Sequence, residues 1–166
     1  MVTIQLTDSM KLKARTSQDE IMKHLPDSDN YTGLHDKDRF YKGSLGELAF
    51  EQMLISYNKN FDYKPRFDGL PDKGDFILRS HSAQTIKVDV KTNGSIRHSH
   101  LVVTLKQLAR YHYDIYVGIR LNQDIAEIWG FCLRQHLKPV DFTLVPSKGC
   151  DLKKLIPVER LLERII

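Results

Sequence analysis

Apolar residues fall at positions 45, 48, 49, 50, 53 and 54. That recurrence predicts a helix buried on most of its circumference, with Ser44, Glu47 and Glu51 left as a narrow polar strip. Further along, the period changes from helical to alternating. Residues 75–79 and, more cleanly, Ile86-Lys87-Val88-Asp89-Val90-Lys91 put apolar and polar side chains on opposite faces, as strands do. The polar insert 80–84 fits a hairpin between them, and turn signals at Pro65 and across 68–74 precede the pair. A second helix is expected from about 104 to 112 with Thr104 as N-cap. Strands are expected at 115–119 and 125–132, the first apolar enough to be central. Pro157 suits the first turn of a last helix over 158–166.

The first 40 residues read differently. Ser17-Gln18-Asp19-Glu20 has the form of a capping box opening a short helix that Pro26 ends, and 27–30 and 35–38 read as polar loop. This divides one domain into an N-terminal accessory arm (1–40), a core (41–131) and a C-terminal extension (133–166). The element order predicts an α/β or α+β sandwich around one mixed sheet flanked by helices.

Composition narrows the class without choosing a function. The chain has 166 residues, 41% apolar and 28% charged, which excludes a disordered or collagen-like polypeptide. No apolar run approaches a membrane span, and the N-terminus lacks the basic-then-apolar order of a signal peptide, so a cytoplasmic protein without a membrane partner is expected. Lys and Arg number 25 against 21 Asp and Glu, for a net charge of +4, which permits an anionic partner but does not demand one. Cys132 and Cys150 form neither a CxxC pair nor a metal-finger spacing and read as ordinary thiols.

The candidate chemistry lies in Asp89-Val90-Lys91. Alternation puts Asp89 and Lys91 on one strand face, a carboxylate beside an ammonium, while Ile86, Val88 and Val90 face the core. A carboxylate supplies the oxygen that a hard divalent cation prefers, and a neighbouring lysine orients water or steadies charge building on a phosphate. The same spacing recurs at Asp62-Tyr63-Lys64 and Asp151-Leu152-Lys153, so only its strand context singles out the first. Asp75 opens the preceding strand and Glu47 sits on the buried helix. Three such acids converging would repel unless a cation lay among them. Each acid also has a plainer reading: Ser44-x-x-Glu47 as a capping box, Asp75 as a turn residue, and Asp89 with Lys91 as a solvated ion pair.

Glu47, Asp75 and Asp89-Val90-Lys91, in the order helix, strand, strand, then helix and strand, resemble the PD-(D/E)XK nuclease superfamily. The resemblance spans about residues 41–131 and implies a restriction endonuclease-like αβββαβ core. It implies Mg²⁺-dependent hydrolysis of DNA phosphodiesters, with Mn²⁺ as substitute. Glu47, Asp75, Asp89 and the Val90 carbonyl would be the metal ligands, and Lys91 would serve the attacking water. The literal Pro-Asp of the family name is Pro71-Asp72, but Asp72 sits in a Pro/Gly turn, which favours Asp75. Gln107 on the later helix is a candidate supporting residue. Cleavage of both strands by such a site implies a homodimer.

Outside that set, Arg97, His98, Lys106 and Arg110 are candidates for DNA backbone contact, with solvated surface as the alternative. His98-Ser99-His100 has a spacing that zinc accepts, but no further ligand is evident. Trp129 and the tyrosines at 111, 113 and 116 read as core. The competing function is a non-catalytic DNA- or protein-binding module on the same fold.

Overall fold

We describe the fold from a computed structural model over residues 1–23, 34–63, 75–93, 99–143 and 145–166, and the side chains of 34–37 are left out. Pro26, the 27–30 loop, Pro65, the 68–74 turn with Asp72, and Arg97 and His98 therefore lie outside the described residues.

The fold is mixed α+β. Strands β1 (Val2–Gln5), β2 (Phe61–Tyr63), β3 (Phe76–Arg79), β4 (Thr85–Asn93), β6 (Ile115–Asn122) and β7 (Ile125–Leu133) form one sheet in the order β1-β7-β6-β4-β3-β2. Every pairing in it is antiparallel except β4 with β6. Strand β5 (His100–Thr104) and helix α3 (Leu105–Arg110) lie between those two in sequence, as a parallel step requires a crossover. Strands β5, β8 (Lys138–Val140) and β9 (Ser147–Asp151) form a second, antiparallel sheet.

Helices α1 (Asp8–Lys23), α2 (Leu34–Ser56) and α4 (Val158–Leu162) share one apolar cluster with the large sheet, including Met10, Phe50, Met53, Val88, Val90, Val117 and Leu161. A second cluster, built on Leu101, Val103, Tyr116, Cys132, Leu152 and Leu155, joins the opposite face to the small sheet. Strands β4 and β6 are thus covered on both sides, which explains the apolar run of β6. Among the described residues no helix is long and apolar enough to cross a membrane.

All six apolar positions expected of the central helix are buried. Burying each large side chain among them contributes about 1.5–3 kcal/mol. The hairpin is present, closed by Arg79 opposite Thr85 and by the Ser80 N–H donating to the Gln84 carbonyl at 2.9 Å.

Four boundaries differ from expectation. Helix α1 begins at Asp8, just after Thr7, whose Oγ1 accepts from the Met10 N–H at 3.2 Å, so Ser17-Gln18-Asp19-Glu20 lies inside the helix and caps nothing at its start. Helix α2 begins at Leu34, so the 35–38 backbone is helical and not loop. An i,i+4 ion pair between Asp38 and Lys42 supports that polar end. The later helices are short, α3 ending at Arg110 and α4 at Leu162. Residues expected as an accessory arm instead supply edge strand β1 and the buried Met10 and Ala14 of the main core.

Gly43 and Gly46 both lie inside α2. Each costs about 1 kcal/mol inside a helix, and packing overrides that cost. At Gly46 a Cβ would overlap the Thr92 hydroxyl of β4, so the missing side chain is what lets α2 approach the sheet. We expect Gly46→Ala to lower stability by about 1–3 kcal/mol in urea denaturation, with part of the loss recovered in Gly46→Ala/Thr92→Ala. Wild-type stability in the single variant would contradict the contact.

Candidate active site

Strand β4 outruns its neighbour. Its register with β3 ends at Val88 opposite Phe76, whereas its register with β6 continues to Asn93. Asp75 stands where β3 stops. Its N–H donates to the Val88 carbonyl at 3.1 Å, and its carboxylate Oδ2 accepts the Val90 N–H at 2.7 Å. Asp75 therefore straddles Asp89, with its side chain taking the place that one more backbone carbonyl of β3 would have filled. The Val90 carbonyl points to the same side of β4 as the Val90 N–H.

Asp89 is 1% exposed and Asp75 2% exposed. The Asp89 register partner on β6 is Tyr116, so the carboxylate faces the cluster between the two sheets. Lys91, two residues on, lies on the same face with its Nζ 2.6 Å from Asp89 Oδ2. Its side chain is 17% exposed. Asp89 Oδ1 accepts no hydrogen bond among the described residues. The solvated ion pair of the plainer reading is not what the fold contains. A buried carboxylate is held by one lysine, with one oxygen left for a further partner.

Glu47 sits in the interior of α2, thirteen residues after Leu34, so Ser44-x-x-Glu47 is no capping box at a helix start. Glu47 is 9% exposed, and its carboxylate accepts the Tyr63 hydroxyl at 3.1 Å. Tyr63 stacks on Phe76 at 4.6 Å between ring centroids. Burial first, then the Glu47 charge and hydrogen bond, with smaller contributions from Glu51 and Asp75, push the Tyr63 phenol well above its usual range.

Glu47 and Lys91 both line a cleft of about 730 Å³. Arg39, Ser44 and Glu47 of α2, Lys91, Thr92 and Asn93 of β4, and Thr104 and Gln107 meet around it. Among the described residues β4 continues past β3, leaving an edge that both faces of the sheet can reach. Asp75 and Asp89 lie beneath it and are not among its lining residues.

The structure thus brings together Asp75, Asp89, Val90 and Lys91, and puts Glu47 on the same cleft as Lys91. Among the described residues no three His, Cys, Asp or Glu side chains form a metal-holding group. Gln107 has a local role, closing a capping box in which its N–H donates to Thr104 Oγ1 at 3.1 Å and its Oε1 accepts the Thr104 N–H at 3.3 Å. Lys106 and Arg110 are exposed on α3, with the Arg110 guanidinium 5.2 Å from the Tyr111 ring centre. Of the other two Asp-x-Lys matches, Asp62 is exposed and Asp151 accepts the Lys153 N–H at 2.9 Å. Tyr63 and Thr92 were missed in the sequence. The Phe61-Asp62-Tyr63 alternation is the signal for the first, and only the Gly46 contact reveals the second.

No family model, curated protein or solved structure matches the chain.

Two measurements test the geometry. Lys91→Ala strands the Asp89 charge and should cost about 3 kcal/mol of unfolding free energy, largely regained in Asp89→Asn/Lys91→Met. Equal stability of Lys91→Ala and wild type would contradict the buried pair. Burial and then the Asp89 charge, opposed by Arg134, push the Tyr116 phenol up to about 12. The unfolded chain ionises first, near pH 10. The stability held by the neutral phenol is therefore present below pH 10 and lost as pH rises toward 12. Ultraviolet titration of Asp89→Asn should show one tyrosine titrating earlier than in wild type, and an unchanged curve would contradict the placement of Asp89.

Proposed function

We propose that the protein is a divalent-metal-dependent DNA endonuclease of the PD-(D/E)XK type. The observation that carries the reading is the buried Asp75–Asp89 juxtaposition at the end of β3, with Lys91 leading from it into the cleft. The element order is α2-β2-β3-β4-β5-α3-β6; with β5 set aside in the small sheet and β4 parallel to β6, it supports the αβββαβ core that the resemblance implies.

Asp75, Asp89 and the Val90 carbonyl fit a hard divalent cation such as Mg²⁺ in donor chemistry, all oxygen, and Asp89 Oδ1 has no hydrogen bond to give up. A bound cation supplies charge neutralisation at phosphate oxygens and makes water more acidic. Asp89 anchors Lys91, whose ammonium then holds the attacking water or the charge developing on the phosphate. Glu47 enters the cleft from the helix side, where its carboxylate orients water or a more distant ligand, and Tyr63 fixes its rotamer. Arg39 offers a cation to the DNA backbone. Lys106 and Arg110 on α3, together with Arg97 and His98, extend that role as candidates, and a homodimer would put one site on each strand.

The binding-module alternative has one observation in its favour, the lack of a three-carboxylate group among the described residues. The two readings separate in a plasmid assay. We expect wild-type protein to nick or cut DNA with Mg²⁺ or Mn²⁺ and to stop in EDTA. Folded Lys91→Ala and Asp89→Asn should lose at least about 100-fold in rate. Salt-dependent DNA binding without cleavage of supercoiled, linear, branched or single-stranded DNA, unaffected by either variant, would favour the binding module.

A further inference from the structure

The wall of the cleft opposite α2 carries an aromatic ring that none of the chemistry above uses. Phe142 lies between β8 and β9, lines the cleft and is 59% exposed, so its ring is open to a ligand in the cleft. Val145 beside it also lines the cleft and is exposed. The ring is not loose: the His100 imidazole of β5 lies 5.0 Å from it, centroid to centroid, at a tilt of 54°. One face of Phe142 thus rests on the small sheet's wall and the rest is open.

The charges around it select the occupant. Among the described lining residues Arg39 and Lys91 are cations and Glu47 is the one carboxylate, with the Lys91 ammonium 2.6 Å from the buried Asp89 carboxylate. An apolar ring sharing a concave cleft with Arg39 and Lys91 matches a ligand with an anionic backbone and flat aromatic groups. In a continuous duplex the base faces are already stacked and only edges and phosphates are offered. A ring inside a concavity reaches a base face only where that base has left the stack.

We propose that Phe142 is a base-stacking residue and that the cleft prefers DNA carrying an unpaired base, as at a flap, gap or branch, over continuous duplex. The inference rests on the reading above only in taking nucleic acid as the occupant, and it does not require cleavage. Phe142 receives the base, Arg39 holds the adjoining phosphate, and Lys91 lies on the same path.

The test is fluorescence anisotropy with Ca²⁺ in place of Mg²⁺, using a labelled continuous duplex and the same duplex with a single-stranded flap. We expect wild type to bind the flapped DNA about tenfold more tightly, Phe142→Ala to lose that preference and Phe142→Trp to keep it. Arg39→Ala should weaken both DNAs alike. Because Phe142 is exposed, its replacement leaves the fold intact, which near-UV circular dichroism checks. Equal affinity of wild type for the two DNAs, no effect of Phe142→Ala, binding to neither DNA, or self-association that needs Phe142 would each overturn the proposal. Plasmid cutting that depends on Asp89 but not on Phe142 would leave the nuclease reading standing and remove this one. A Phe142-dependent flap preference in a protein that never cuts would do the reverse.

Discussion

A carboxylate that is 1% exposed between two apolar layers needs a polar partner inside the fold, and an ammonium meets that need. Asp89 is that carboxylate, and much of the architecture near it answers this requirement. The face of β4 that carries Asp89 must be covered by the small sheet for Asp89 to be buried at all, while α2 covers the opposite face. Lys91 must follow two residues later so that strand alternation puts its ammonium on the same face. Strand β3 must stop at Asp75, since a longer β3 would pair with the β4 edge that instead opens into the cleft. A carboxylate standing in for a backbone carbonyl at that point keeps the Val90 N–H satisfied while bringing a second acid beside the first.

The termination of β3 also explains how residues from opposite faces of a sheet meet in one cleft. Glu47 belongs to the helix layer and Lys91 to the face against the small sheet. In the middle of a complete sheet they would be separated by backbone. Where β4 has β6 as its one strand neighbour among the described residues, they approach the same space from two sides. The close contact of Gly46 with Thr92 brings α2 down onto that edge. Burial of Ser44 and Glu47 is then a consequence of where the helix lands and not of helix capping.

How much of this the sequence disclosed follows from where local pattern and tertiary context agree. The α2 core face, the β3–β4 hairpin and strands β6 and β7 were legible because their periods are long and regular. Strand β9 was not. Ser147-Lys148-Gly149-Cys150-Asp151 contains no β-branched or aromatic residue, and its extended state is imposed by pairing with β5 on one side and β8 on the other. Helix starts were misplaced because Ser-x-x-Glu occurs inside helices as well as at their ends. The Asp-x-Lys spacing, threefold in this chain, became informative through its strand, and Asp75 through its position just before one. Phe142 carried no signal, since an exposed ring is recognisable only once the cleft is known.

Calorimetric titration with Mn²⁺ asks whether Asp75 and Asp89 together hold a divalent cation. We expect a binding event in wild-type protein that is lost in Asp75→Asn and in Asp89→Asn and retained in Phe142→Ala. Wild type that binds no Mn²⁺, or carboxamide variants that bind it as wild type does, would contradict a metal site at these two acids.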